Sequence, residues 1–180
     1  MLERARDGDP AALGAFFDHY FPRIHATVLR LVRDSATAQD VTQDVLVKVQ
    51  KALPDLDTSR DPAPWLFTIS VNACRDLWRT SAWRASQRSS SIEDPVIAGE
   101  LRGAEPPDEA FEREELGRLL DVAIGRLPAP LRVTVVLHDC EGLGHREIAE
   151  ITGIDYAASR KRHSRALKAL GEMLREVLAR

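Results

Sequence analysis

Residues 144–170 read GHREIAEITGIDYAASRKRHSRALKAL: a short amphipathic helix, a Gly-Ile turn and a strongly basic helix in one run. Ile148, Ala149 and Ile151 give the first helix a buried side. Gly153 suits a left-handed turn residue, Ile154 closes on the core, and Asp155 can accept the free amides that open the second helix. This is the local logic of a helix-turn-helix, in which the first helix braces a second that can enter the major groove of DNA. Arg160, Lys161, Ser164 and Arg165 fall on the early turns of that second helix; arginine suits guanine bidentately, lysine and serine suit phosphate. One feature runs against the pattern. Ser159 and His163, at i and i+4 together with Arg162 and Ala166, sit where a buried seam would take larger aliphatic residues.

Working back from this stretch, Leu131, Val135, Val136 and Leu137 predict a short helix, "LPAP" a break before it, and Phe111, Leu116, Leu119, Leu120, Ala123 and Ile124 a longer helix upstream. Residues 81–108 are rich in Ser, Gly, Pro and acids without periodicity, the composition of a flexible linker. Before it, Trp65, Leu66, Ile69, Ala73 and Leu77 mark an amphipathic helix, preceded by the loop PDLDTSRDPAP. A further helix is expected from about Ala36 to Leu53, with Val41, Val45, Val49 and Ala52 inward and Asp40, Gln43, Asp44 and Lys48 largely outward. Asp9-Pro10 is a good helix start. Pro22 should divide the helical pattern after it into two segments, one carrying Leu13, Phe16, Phe17 and Tyr20, the other Ile24, Val28, Leu31 and Val32. No run alternates over strand length, so the fold class is all-α: two small helical domains, 1–80 and 109–180, joined by the acidic linker 81–108.

Charge is sorted along the chain. Residues 93–121 hold ten acids against Arg102, Arg113 and Arg118, whereas residues 155–180 hold seven Lys or Arg against three acids. The basic end calls for a polyanion. The charged start MLERARDGDP and the lack of any apolar run of roughly 20 residues predict a cytoplasmic chain without membrane insertion. Cys74 and Cys140 are too few for a disulfide framework and are expected reduced, Cys140 as a buried thiol. His138, Asp139, Cys140 and His145 invite a metal reading. A His and a Cys two apart on one short helix do not share a tetrahedral ion in zinc-finger geometry, and no fourth ligand is evident, so no metal, cofactor or catalytic group is expected.

The ordered set ATAQDVTQDVLVKVQKAL, APWLFTISVNACRDLWR, an acidic linker and LPAPLRVTVVLHDCEGLGHREIAEITGI resembles the bacterial sigma factors of the extracytoplasmic-function group, from Gly8 to about Leu174. The resemblance implies an RNA polymerase specificity subunit and no enzyme. Its first domain would bind core RNA polymerase through Asp40, Gln43, Asp44 and Lys48. The same domain would take the melted minus-ten strand with Asn72, Arg75 and Arg79 and with Ser59 and Arg60 of the Asp57 to Pro64 loop. The second domain would bind the minus-thirty-five element of promoter DNA through Arg160, Lys161, Ser164 and Arg165, and an anti-sigma factor would cover these surfaces. The recognition helix departs from the family: AASRKRH stands where Gly-Thr-Val-Lys-Ser-Arg-Leu is usual. A stand-alone helix-turn-helix regulator is the alternative; it accounts for residues 144–170 but gives no purpose to QDVTQDVLVKV or WLFTISVN.

Overall fold

The computed structural model describes residues 2–84 and 109–178, with side chains of the second segment described from residue 115. Among these residues the regular structure is helical and contains no strand. In the first unit a short α1 (Leu2–Arg6) leads to α2 (Pro10–Val32), α3 (Ser35–Ala52), a single 3₁₀ turn (Leu53–Asp55) and α4 (Ala63–Arg79). In the second unit α5 (Glu109–Arg126) is followed by α6 (Ala129–Val135), a π-turn (Val136–Cys140), α7 (His145–Thr152) and α8 (Tyr156–Leu178). Residues 81–84 add a helical turn after α4, inside the segment expected to be linker; the remainder of that segment, 85–108, lies outside the described residues.

Local chemistry sets the helix ends. Asp9 accepts the Ala12 amide at 2.9 Å with Pro10 at the first helical position, and Asp34 accepts the Thr37 amide at 2.8 Å. Pro22 does not divide α2, which runs unbroken for 23 residues. The proline lies on the exposed side, where the carbonyl it leaves unpaired meets water, while Phe16, Ile24, Val28 and Leu31 stay buried in one helical register. α2, α3 and α4 pack mutually around Phe16, Ile24, Val45, Val49, Leu66, Phe67 and Val71. In the second unit α5, α6 and α7 all pack on α8, around Ile124, Leu127, Val136, Leu137, Ile148 and Ala166. Cys74 is buried, as its place on the inner face of α4 requires, but Cys140 is exposed, because it ends the π-turn where the chain reverses towards Gly142. No helix of the described residues is long and apolar enough to cross a membrane.

The two units pack on each other, and each lends the other an arginine. The last carbonyls of a helix have no partner within it and carry the negative end of its dipole. At the end of α7 the Ile151 and Thr152 carbonyls accept from Arg75 of α4 at 3.3 and 2.9 Å. At the end of α2 the Leu31 carbonyl accepts from Arg132 of α6 at 2.8 Å. Burial, with Arg33 nearby, pushes the Arg132 guanidinium down to about 10, and its Nε has no partner among the described residues. Between these two caps Glu141, almost wholly buried, accepts from Thr27 at 2.6 Å and from Arg23 at 3.2 Å. Arg30 reaches Asp121 at 3.0 Å on the rim. Beside Arg30, the Arg33 side chain passes close to Gly125: a Cβ there would stand 2.5 Å from its Nε, and the flexible arginine would have to shift to admit it.

Candidate nucleic-acid interface

The brace and the basic helix form as the sequence predicts. Ile148, Ala149 and Ile151 are buried, Gly153 takes φ +68°, and Asp155 accepts the Ala158 amide at 2.6 Å. At the start of α7 the Glu147 carboxylate reaches back to the Gly144 amide at 2.7 Å. Arg160, Lys161, Ser164 and Arg165 are all exposed on the first turns of α8, and the Arg160 guanidinium lies 5.9 Å above the Tyr156 ring. Arg162 is half-buried and turns towards Arg75. Burial first, then Arg162 and Arg79, lower the Arg75 guanidinium from its ordinary value. A cationic ridge therefore runs from α4 to α8.

On α4, Asn72, Arg75 and Arg79 share one face by helical spacing, with Asn72 exposed and 3.4 Å from Arg75. Arg79 pairs with Asp76 at 3.5 Å, and Asp76 also lies 3.9 Å from Lys48 of α3. The loop that precedes α4 is held by its own carboxylates. Asp57 accepts from the Ser59 hydroxyl at 2.6 Å and amide at 3.0 Å, bonds that lower its pKa, and it pairs with Arg60 at 3.4 Å; Asp61 accepts the Ala63 amide at 2.9 Å. Ser59 and Arg60 are exposed, and Trp65 is half-buried against the core. Asp40, Gln43 and Asp44 stand exposed on α3 without a hydrogen bond or ion pair among the described residues, opposite the buried Val41, Val45 and Val49.

Both polar positions of the α8 seam, Ser159 and His163, find partners in the fold. Ser159 is fully buried with its hydroxyl 3.3 Å from Nδ1 of His145, and Nε2 of His163 lies 2.8 Å from Asp139. His138 Nδ1 donates to the Leu143 carbonyl at 2.7 Å. The His138 and His145 rings stack at 4.4 Å, and the His163 ring meets the edge of His138 at 4.4 Å. Burial, then the neighbouring His138 and His163, hold the His145 imidazole below its ordinary pKa. The set that the sequence suggests is His138, Asp139, Cys140 and His145; in the fold the residue that joins His138 and His145 is His163 of α8.

The comparison with known proteins matches the division into units. The family described as Sigma-70 region 2 matches residues 16–84, and Sigma-70 region 4 matches residues 117–170. RNA polymerase sigma factor CarQ of Myxococcus xanthus is 32% identical over 98% of this chain and 97% of its own length. The chain belongs to the sigma-70 family. Within it the chain is an extracytoplasmic-function sigma factor, a transcription-initiation factor and not an enzyme. The ECF RNA polymerase sigma-E factor of Escherichia coli is 27% identical over all of this chain and 95% of its own length. Among solved structures, CnrH in complex with the cytosolic domain of CnrY superimposes with a TM-score of 0.67 at 25% identity, covering 97% of this sigma factor and 95% of CnrH.

Proposed function

We propose that this sigma factor docks on core RNA polymerase through Asp40, Gln43, Asp44 and Lys48 of α3. It then holds the melted minus-ten strand with Asn72, Arg75, Arg79, Ser59 and Arg60, and grips the minus-thirty-five duplex with Arg160, Lys161, Ser164 and Arg165. The observation that carries this reading is the outer face of α3. A carboxylate-rich face with no partner of its own, backed by buried valines, suits a basic protein surface and costs the fold nothing to expose.

The basic face of α8 fits duplex DNA, where lysine and arginine release counterions and bind more weakly as salt rises. Arg75 already serves the two carbonyls at the end of α7, so its use on DNA requires those hydrogen bonds to be exchanged, which means that the two units separate on promoter binding. The solved relative CnrH is bound by the cytosolic domain of CnrY. We infer a regulatory protein of the anti-sigma kind for this chain too, covering the surfaces that face polymerase and DNA.

A pull-down of purified core polymerase with the wild-type chain and with Asp40→Arg/Asp44→Arg, coupled to transcription from a fragment library, tests the assignment. The expected result is binding by the wild type, loss in the double variant, and promoter-specific transcripts only from the wild type. Retention by the double variant at the wild-type level would move the docking surface off α3.

A further inference from the structure

The structure gathers three of the chain's five histidines at one point of the helix-turn-helix, from three different elements: His138 from the π-turn, His145 from the first position of α7, His163 from α8. One ring nitrogen of each lies within 4.8 Å of one from each of the others. We propose that His138, His145 and His163 form a site for a single imidazole-preferring divalent transition ion, zinc being the reference case, that ties the recognition helix to its brace.

Three arguments support the site beyond proximity. First, each imidazole has its second nitrogen engaged by an outer partner of the kind that orients metal-ligating histidines: a backbone carbonyl on His138, a carboxylate on His163, a hydroxyl on His145. The Leu143 carbonyl can only accept, so Nδ1 of His138 carries the proton and Nε2 keeps the lone pair. The nitrogens left for an ion are thus Nε2 of His138 and His145 and Nδ1 of His163.

Second, the spacing is close to what an ion needs. Bonds of about 2.0–2.1 Å in tetrahedral geometry place ligand nitrogens roughly 3.3 Å apart, and ring nitrogens already within 4.8 Å of one another reach that by small rotations about χ angles.

Third, the three rings, brought from three separate elements, lie at centroid distances of 4.4 to 5.3 Å from one another, so that one ion between them can bond to all three at once. All three rings are half-buried, and Asp139 is exposed beside them to offset the ion's charge. Water completes the fourth position, as in three-histidine sites. Binding releases any protons on the imidazoles and involves no redox step, so zinc needs no co-reactant.

An ion here fixes how α8 is rotated on α7, because His163 lies one turn from Ser159 and between the two halves of the exposed basic set, Arg160 and Lys161 before it, Ser164 and Arg165 after. The site itself does not depend on which DNA that set meets.

The test uses the full chain without a histidine tag, stripped of metal and titrated with Zn2+ by calorimetry and with Co2+ by visible absorption, in the absence of DNA and polymerase. Expected are one ion per chain, a tetrahedral nitrogen-ligand Co2+ spectrum and a higher thermal midpoint with Zn2+. His145→Ala and His163→Ala should each weaken binding at least tenfold, Asp139→Asn should weaken it about tenfold, and His19→Ala, whose ring lies on α2 away from the cluster, should leave it unchanged. Far-ultraviolet circular dichroism of each ion-free variant separates lost ligands from lost fold, and His163→Gln keeps the test decisive should an alanine variant unfold. No saturable binding by the wild type, or one-ion binding undiminished in His163→Gln and Asp139→Asn, overturns the site and leaves the three histidines as a purely structural cluster.

Discussion

The outer face of α3 and the inner seam of α8 are both polar, and they are polar for opposite reasons. On α3, Asp40, Gln43 and Asp44 point away from a stripe of valines and have no partner among the described residues. On α8, Ser159 and His163 point into the fold, and each meets a side chain from another element. A polar helix face thus marks a surface for another molecule only when its groups are left over after internal pairing. The unpaired set on α3 is free to engage a partner, whereas the paired set on α8 already holds the second unit together.

Substitutions at the two places break or sharpen this contrast. The largest effect is expected for Val45→Asp, which turns the buried face of α3 into an unpaired carboxylate and should remove about 3–5 kcal/mol, close to the whole stability of a small unit; Asp44→Arg, one residue away but outward, should stay within about 0.5 kcal/mol. Chemical denaturation of the pair reads both numbers, and a comparable loss in each would show that the outer face is structural after all. Next comes Ser159→Leu, the aliphatic residue the helical pattern asks for. It should destabilise by about 1–3 kcal/mol, because the space beside His145 is already filled; a gain in stability would mean that the polar seam is only a packing flaw.

Glu141→Ala separates fold from docking. Arg23 and Thr27 lose their shared acceptor, and about 1–3 kcal/mol of the contact between the units goes with it. Labels placed on the two units should then move apart by fluorescence transfer while helix content is unchanged; an unaltered separation would leave the packing to the arginine caps, the Arg30–Asp121 pair and the helix contacts between the units.

The smallest effect concerns Asp34, at the start of α3. Hydrogen bonds from the Thr37 hydroxyl and then the Thr37 amide hold its carboxyl below the usual 3.8. A folded pKa below the unfolded one gives stability that is present above about pH 4 and is lost as pH falls through the lower, folded value. Asp34→Ala should cost about 1 kcal/mol at neutral pH, and the gap between variant and wild type should close in acid. A gap that persists at pH 2 would deny the carboxylate its capping role.

Much of this was legible in the sequence because it is local. Asp9, Gly153 and Asp155 announce helix ends within a few residues, and the Val41, Val45, Val49 repeat fixes which side of α3 is inside. Pro22 misled because its rule concerns one lost hydrogen bond, whereas the buried register of Phe16, Ile24 and Val28 across it is worth more. The histidine cluster and the seam between the units were illegible for a different reason. His138, His145 and His163 meet only after a π-turn and a left-handed glycine have folded the chain back, and Glu141 finds Arg23 and Thr27 far away along the chain. A trace of the cluster was nevertheless present. Two polar residues in a buried register, Ser159 and His163, are a request for partners from elsewhere in the chain.

The exchange of arginines between the units has a kinetic corollary. When Arg75 leaves the end of α7 and Arg132 leaves the end of α2, two helix ends lose their caps in the same event, so opening is cooperative and cannot proceed contact by contact. The final turns of α2 and α7, though far apart in sequence, should therefore loosen together, which hydrogen exchange reads as a joint loss of protection. Any molecule that pries open one end speeds the other equally, which makes hydrogen exchange at the end of α2 a remote gauge of what has happened at the helix-turn-helix.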